Sequence, residues 1–562
     1  MIDTAGDACD TAELPSGSDP CVRLFHTSLV WPLQLEPLEA AGFKARHWER
    51  FESLQHSHPW RRIDDEFTDD PGQFRERHYR EFVSFLPYVQ RFLYGEARGT
   101  PGKRTASSFG DSPMHVFRRK DIRTLRLTLT PGQAPIELAL VHVDLYFFDD
   151  LDLVQLNVEV CARDLPLATV RDILYRFGRA YPSGWDEQGD GLHNVHLAEW
   201  LNAEGEVLAR SDAQRREKYL SFVCQHRSPS IAQHWAWLLQ PLILSHSEAS
   251  DALRFRLIEY HRMPLMAFVA LERPRQLSRE DWIRLGLASQ LHPEESLPVN
   301  DPTVREFESR YCQDRYWSDS DQGPNTRFVC TGNAFTVVGD ADAAFFSDPE
   351  RGVLAQFRHQ YFLVFLIAHL HRAALLVFSD VLVGAVNALN IRNDESVRVF
   401  KRRIRANFET FLRFTHRYWF HELSERQHVQ AMFRLSSQHL RNDALYDEVR
   451  DEIAEMSHYL DSDSQRRQSN TVVRLTVVTI LGLIATVTTG YFGMNIIPFG
   501  DGSILERSLH GLIATSGFVM LVLFAVAKSK RLSDFLEAMS DERLTLGGKF
   551  RALWGVIGKT ER

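Results

Sequence analysis

The sequence predicts an α/β domain with a central mixed sheet, followed by a long helical stalk and two C-terminal transmembrane helices. Three observations predict it. Up to residue 350, runs rich in β-branched and aromatic residues alternate with stretches of helical spacing. From 351 onward the spacing is helical. Near the C-terminal end, two runs, 475–494 and 511–527, carry no charged side chain.

The elements follow in order. Residues 22–38, VRLFHTSLVWPLQLEPL, read as an early strand, and 71–95 place Phe74, Tyr79, Phe82, Phe85 and Val89 at helical spacing. Strands are predicted at 123–130, 136–148 and 152–160, helices at 165–178 and 211–241, and further strands at 254–271 and 327–338. This alternation is the pattern of helices packed on a sheet. SDSDQGPN, 318–325, reads as a surface loop. Further on, Tyr446, Val449, Ile453, Met456 and Leu460 recur at spacings of three and four. They form a narrow apolar seam for helix-on-helix packing, either within one subunit or between two. No proline interrupts the chain from there into the first uncharged run, so one long helix is expected to enter it.

Composition excludes little. The 562 residues carry a formal net charge of −9, which argues against nucleic acid as the main partner. Cys9, Cys21, Cys161, Cys224, Cys312 and Cys330 are scattered without a C-x-x-C pair and read as reduced thiols of a cytoplasmic domain. The start, MIDTAGDACD, is acidic and has no secretory pattern, so the N-terminus is expected in the cytoplasm.

The run 475–494 spans 20 residues, roughly 30 Å as a helix, which matches a bilayer core. The run 511–527 has 17 residues, about 26 Å, extended by Leu509 and His510. Arg466, Arg467 and Arg474 precede the first run, and Lys528, Lys530 and Arg531 follow the second. Basic flanks stay inside, which puts both termini in the cytoplasm and the linker outside. The resulting expectation is an integral protein of a bacterial inner-membrane type. It has a cytoplasmic α/β domain (1–350), a helical region and stalk (351–470), a first span (471–495), an outer loop (496–508), a second span (509–528) and a basic tail (529–562). A third apolar stretch, 361–386, has His369, His371 and Arg372 in its middle and Asp380 beyond. A mid-span arginine costs about 2.5–3.5 kcal/mol, so this stretch reads as a buried helix.

The first span closes on GYFGMN, 490–495, followed by a short linker, a last span and a basic tail. In this position the tripeptide Gly493-Met494-Asn495 resembles the signature of the CorA family of divalent-cation channels and transporters. The resemblance covers about 470–531; the N-terminal region fits in element order only and is longer than is typical. It implies a homo-oligomeric channel, a pentamer, whose first span lines the pore. It also implies Mg²⁺ as cargo, with Co²⁺ or Ni²⁺ as further ions, and no enzymatic activity. The selectivity filter would be Gly493, Met494 and Asn495. The pore-facing positions would be Gly490, Thr486, Leu483, Thr479, Leu475 and Val472.

Physical chemistry runs alongside. Mg²⁺ gives up water reluctantly, and the neutral carbonyl of Asn495 accepts hydrogen bonds from a retained shell without tight binding. Two helices cannot enclose a pathway, so several copies are required. Thr479 and Thr486 offer hydroxyls, or else bond back to their own helix; Leu483, Leu475 and Val472 form apolar constrictions. In the linker, Asp501 and Glu506 are candidates for cation capture, at a spacing unlike the family's.

The family also implies cytoplasmic Mg²⁺ sites that favour closure. Asp447, Glu448, Asp451, Glu452, Glu455, Asp461 and Asp463 are the candidates, because carboxylates four apart repel and a dication relieves them. HVDLYFFDDLD, 142–152, is a second acidic candidate. His56/His58 and His369/His371, two apart, are poor ligand pairs on a helix. Two other functions compete: a ZntB-like Zn²⁺ transporter, and a membrane-tethered regulator or enzyme. Against an enzyme, no G-x-x-x-x-G-K-[ST], G-x-S-x-G or H-E-x-x-H is present.

Overall fold

The structure, a computed structural model, describes residues 20–38, 46–54, 58–63, 76–95, 112–247, 253–258, 261–289, 301–317, 325–390 and 393–493, with isolated positions between 505 and 520. The chain divides into two compact units, Met1–Asp451 and Glu452–Arg562.

In the first unit the described strands are β1 (Cys21–Leu35), β2 (Trp60–Ile63), β3 (Met114–Arg119), β4 (Thr124–Thr128), β5 (Ile136–Phe148), β6 (Leu153–Pro166) and β7 (Leu197–Leu201). They continue with β8 (Val207–Arg210), β9 (Leu242–Leu244), β10 (Leu253–Leu257), β11 (Leu265–Leu271), β12 (Cys312–Gln313), β13 (Arg327–Cys330) and β14 (Ala334–Asp340). All belong to one sheet whose main path runs β12-β13-β14-β11-β1-β6-β5-β4-β7-β8. Pairing is antiparallel except for β11–β14 and β9–β10, so the sheet is mixed. An α/β region with a mixed sheet, followed by helices, is thus the architecture.

Strand β6 shows why the sheet is buried on both faces. Its Val154, Leu156, Val158 and Val160 join the main apolar core. The helices Leu167–Arg176, Gln233–Leu239 and Arg279–Leu287 contribute Ile173, Trp235 and Leu285 to that core. The alternate residues Gln155, Asn157 and Glu159 are also buried. They lie under the helix Val353–Asn387, where the Gln155 amide donates to Leu366 O at 3.4 Å. Glu159 accepts from Arg358 Nε at 2.8 Å and lies 3.3 Å from His26 Nδ1. Burial pushes Glu159 up, but the Arg358 guanidinium and the His26 hydrogen bond outweigh it and hold the carboxyl well below its usual range. Beside it, Arg118 and Asp144 form a two-pronged buried pair at 2.7 and 2.9 Å.

Val353–Asn387 is one helix with a π turn at Phe357–Tyr361. Among the described residues it is the one helix long and apolar enough to cross a membrane, and 78% of its most apolar window is buried inside the protein. Its polar residues find carbonyls in the same unit. His369 Nε2 meets Gly332 O at 3.2 Å, His371 Nε2 meets Tyr418 O at 2.6 Å, and Arg372 donates to Leu440 O at 2.5 Å. Burial pushes His369 down to about 3 and His371 down to about 4, so both rings are neutral. Asp380 is exposed. The packing, not a bilayer, covers this helix.

Several predicted elements are split. Residues 71–95 hold two helices, Glu76–Phe82 and Pro87–Tyr94, because Pro87 cannot continue a helix but suits its first turn. The span 211–241 holds Arg216–His226 and Gln233–Leu239, the first closed by Arg227 in the left-handed region at φ 54°. The span 254–271 divides into β10 and β11, and 327–338 into the hairpin β13–β14, turned at Gly332 with φ 89°. Of SDSDQGPN, residues 318–324 lie outside the described residues.

The helices Asp394–Arg417 and Gln427–Leu440 pack on the core helix. The last described helix, Asn442–Gly493, is continuous over 52 residues, about 78 Å at a helical rise. Fully buried Asn442 ties its start to Ala368 O at 2.9 Å. Tyr446 stacks on Trp419 at 4.4 Å, so the base of the apolar seam packs within one chain.

Candidate functional site

Within the second unit the described part of the long helix ends at Gly493, and its last 19 residues, 475–493, carry no charge. Val477 and Ala485 are buried at 4% and 6% exposure, with Val473 and Leu481 half-buried. These four positions are spaced by four and form one covered stripe. Val472, Leu475 and Leu483 are 59%, 66% and 64% exposed, and Thr479, Thr486 and Gly490 are exposed as well. At roughly 100° per residue the second set centres on the side of the helix opposite the stripe. All six pore-facing positions implied by the family resemblance therefore share one bare face.

Four threonines on this helix bond to their own backbone. Thr476 donates to Val472 O at 2.9 Å, Thr479 to Leu475 O at 2.8 Å, Thr486 to Gly482 O at 2.9 Å and Thr489 to Ala485 O at 2.9 Å. A hydroxyl whose proton is so committed presents only lone pairs outward. A Cβ built on Gly490 or Gly493 would meet nothing within 4 Å. Neither glycine serves a close contact within the described chain.

Met494, Asn495, Asp501 and Glu506 lie outside the described residues, as does the tail 529–562. Of the second uncharged run and its extension, Leu509, Leu512, Ile513, Ser516, Gly517 and Met520 are described, each helical and exposed. The side chains of Asp461 and Asp463 are likewise outside the description.

The acidic candidates are partly answered by arginines. Arg450 bridges Asp447 at 2.8 Å and Asp451 at 3.0 Å, relieving the repulsion between carboxylates four apart. The signal was present in the sequence as a cation three residues after Asp447 and next to Asp451. Glu448, Glu452 and Glu455 share the same helix. The second acidic stretch is an anchor. Arg118 holds Asp144, His115 and Trp48 hold Asp149, and Arg413 and Arg417 hold Asp150 at 3.1 and 3.2 Å. Burial raises Asp149, but its hydrogen bonds and the nearby Arg46 turn the net shift downward. Among the described residues no group of three or more His, Cys, Asp or Glu side chains is gathered to hold a metal. His58 bonds Phe51 O, and His369 and His371 bond backbone carbonyls. His56 lies outside the described residues.

Compared with family models, with curated proteins and with solved structures, the chain matches none of them.

Proposed function

We propose that the chain is one subunit of a homo-oligomeric membrane channel for divalent cations, with Mg²⁺ as its cargo. The observation that carries this reading is the bare face of the long helix. Val472, Leu475, Thr479, Leu483, Thr486 and Gly490 lie together on it, away from the covered stripe through Val477 and Ala485. An apolar face left uncovered in one chain marks a surface for lipid or for another protein, and the two threonines on this face favour a protein-lined, watered path over lipid. A ring of such faces, five in the family it resembles, encloses a path. The run 475–494 is the first span and 511–527 the second, with the linker outside.

Chemistry on that face suits a hydrated dication. The water shell of Mg²⁺ points hydrogens outward, so it is recognised by acceptors. Thr479 and Thr486 commit their protons to Leu475 O and Gly482 O and so offer lone pairs to those hydrogens. At the outer end the amide oxygens of Asn495 do the same in a ring. Weak, shared contacts of this kind select the ion without trapping it. Leu483, between the threonines, and Leu475, before them, make apolar collars that close by dewetting. On the stalk, Glu448 and Glu455 are the better candidates for sensing internal Mg²⁺, since Asp447 and Asp451 already share Arg450.

The test is Mg²⁺ uptake by proteoliposomes carrying the full chain. Wild type is expected to conduct, and Asn495→Ala to lose at least about tenfold, a difference of ~1.4 kcal/mol in the rate-determining step. Uptake no faster than in empty liposomes, or equal uptake in both variants, rejects the reading. Repeating the assay with Zn²⁺, with and without a proton gradient, separates the zinc-transporting branch.

A further inference from the structure

Two exposed faces of opposite charge lie in the first unit. The helix Asp394–Arg417 buries Phe400, Ile404, Asn407, Phe411 and Phe414. At roughly 100° per residue, Arg398, Arg402 and Arg405 centre on the opposite side. Between 396 and 408 the helix carries Arg398, Lys401, Arg402, Arg403 and Arg405, and no carboxylate. Arg398 pairs with Glu395 at 3.5 Å. Among the described residues Arg402, Arg403 and Arg405 have no ion-pair partner, and all three are exposed. One turn further on the face is balanced: exposed Glu409 follows Arg405, and Arg413 is held by Asp150.

The base of the helix Asn442–Gly493 is the counterpart. It buries Asn442 and Val449 and turns Tyr446 onto Trp419. Asp443, Asp447 and Asp451 recur every four residues on the side away from these contacts, and all three are exposed. From 442 to 451 the sequence holds a single cation, Arg450. It answers Asp447 and Asp451 together, so the stripe stays negative. The two stripes also match in length. At the helical rise, 398–405 covers about 10.5 Å and 443–451 about 12 Å.

Within one chain the stripes do not meet. The two helices touch through Tyr446, whose ring stacks on Phe411 at 5.6 Å and whose hydroxyl reaches Thr415 Oγ1 at 3.4 Å. Phe411 lies on the buried side, across the helix from the arginines, and Asp447 and Asp451 are turned by about 100° and 140° from Tyr446. Each charged stripe therefore looks away from the seam. Positive charge on one flank and negative charge on another suit a head-to-tail contact between copies, the kind that closes into a ring.

We propose that the Arg398–Arg402–Arg405 stripe of one subunit docks on the Asp443–Asp447–Asp451 stripe of its neighbour. This contact rests on the homo-oligomeric reading and adds where adjacent subunits meet outside the membrane runs. Arginine suits the role because its fork can grip a carboxylate at two points. Charged contacts of this kind steer partners and fix their register more than they supply affinity. Salt screens them.

The test uses the purified full chain in detergent, with subunit dissociation on dilution followed by light scattering. At low salt, Arg402→Glu/Arg405→Glu and Asp447→Arg/Asp451→Arg are each expected to loosen the oligomer at least about tenfold, and high salt to loosen the wild type. Combined in one chain, the four substitutions put opposite signs back at every contact and are expected to recover wild-type association. Cross-linking reads the contact directly. In chains whose Cys9, Cys21, Cys224 and Cys312 are replaced by serine, a tagged Arg402→Cys copy and an untagged Asp447→Cys copy are expected to be joined by a short bis-maleimide, and neither variant alone to be joined to itself. A monomeric wild type overturns the oligomeric reading and this contact with it. An oligomer that neither reversal loosens, with no joining of tagged to untagged copies, overturns the contact alone. So does loss of co-purifying phosphatidylglycerol in Arg402→Glu/Arg405→Glu with the oligomer intact, because the arginines then serve a lipid surface.

Discussion

The helix Val353–Asn387 and the end of the helix Asn442–Gly493 are built from much the same apolar residues and are treated in opposite ways. In the first, Ile367, Leu370 and Leu375 are fully buried, and even the two histidines find carbonyls. In the second, Leu475 and Leu483 stand about two-thirds exposed, and the polar groups are threonines that bond to their own turn. Hydropathy alone ranks the first as the better membrane candidate. The placement of polar groups reverses that ranking. Histidine and arginine in the middle of a helix need partners that a folded protein supplies and lipid does not. Back-bonded threonine needs no partner at all.

The sharpest way to break this contrast is to put the same charge in both helices. Leu370→Asp buries a carboxylate with no cation, at a cost of several kcal/mol against a total stability of about 5–15 kcal/mol. The cooperative unfolding of the first unit is expected to vanish in calorimetry. Leu483→Asp is expected to leave that transition where it is, while opposing membrane insertion by about 2.5–3.5 kcal/mol. A lost transition in the second variant, or an intact one in the first, removes the distinction.

Acid comes next. His234, His369 and His371 are lowered by burial to about 3, 3 and 4. The unfolded chain takes up protons below about 6.5 while the folded chain refuses them. Their contribution is therefore complete above pH 6.5 and lost as pH falls from 6.5 toward 4, at about 1.4 kcal/mol per pH unit for each ring. Unfolding temperatures between pH 7.5 and 5 check this, and His371→Gln is expected to flatten the slope by one ring's share, up to about 1.4 kcal/mol per pH unit.

Glu159→Gln tests the polar layer under the core helix. It removes the carboxylate charge facing Arg358, whose side chain is 16% exposed, and is expected to lower stability by about 3 kcal/mol in denaturant unfolding. The smallest effect belongs to the bare helix. Thr486→Val is expected to change unfolding by less than about 0.5 kcal/mol, yet to slow Mg²⁺ uptake, with Thr486→Ser restoring it.

Period and composition made the sheet legible. Strand β5, Ile136–Phe148, falls on the residues expected of it, and β1 and the start of β6 lie within a few residues of theirs. Splits at Pro87, Arg227 and Gly332 were less visible, since each turns on one backbone angle inside an otherwise uniform run. Arg372 and the two histidines marked the core helix correctly because a polar residue amid leucines is informative wherever it sits. The partners of the acidic stretches were less legible. Asp149 and Asp150 meet Arg417, more than 260 residues away, and no local pattern announces a partner at that separation. The small cavity beside the end of the helix Leu167–Arg176 was invisible for the same reason: Arg176, Asn194, Ser211 and His234 come together only in the fold.

The π turn at Phe357–Tyr361 has a consequence for how this chain tolerates insertions and deletions. Such a turn accommodates one extra residue within a helix. Deleting a single residue there would return the turn to regular winding and leave His369 and His371 facing their carbonyls. The same deletion further along, where no surplus residue is wound in, would swing every later position by about 100°, and Leu370 would face outward. Length along the central rod is therefore constrained more tightly beyond the turn than within it.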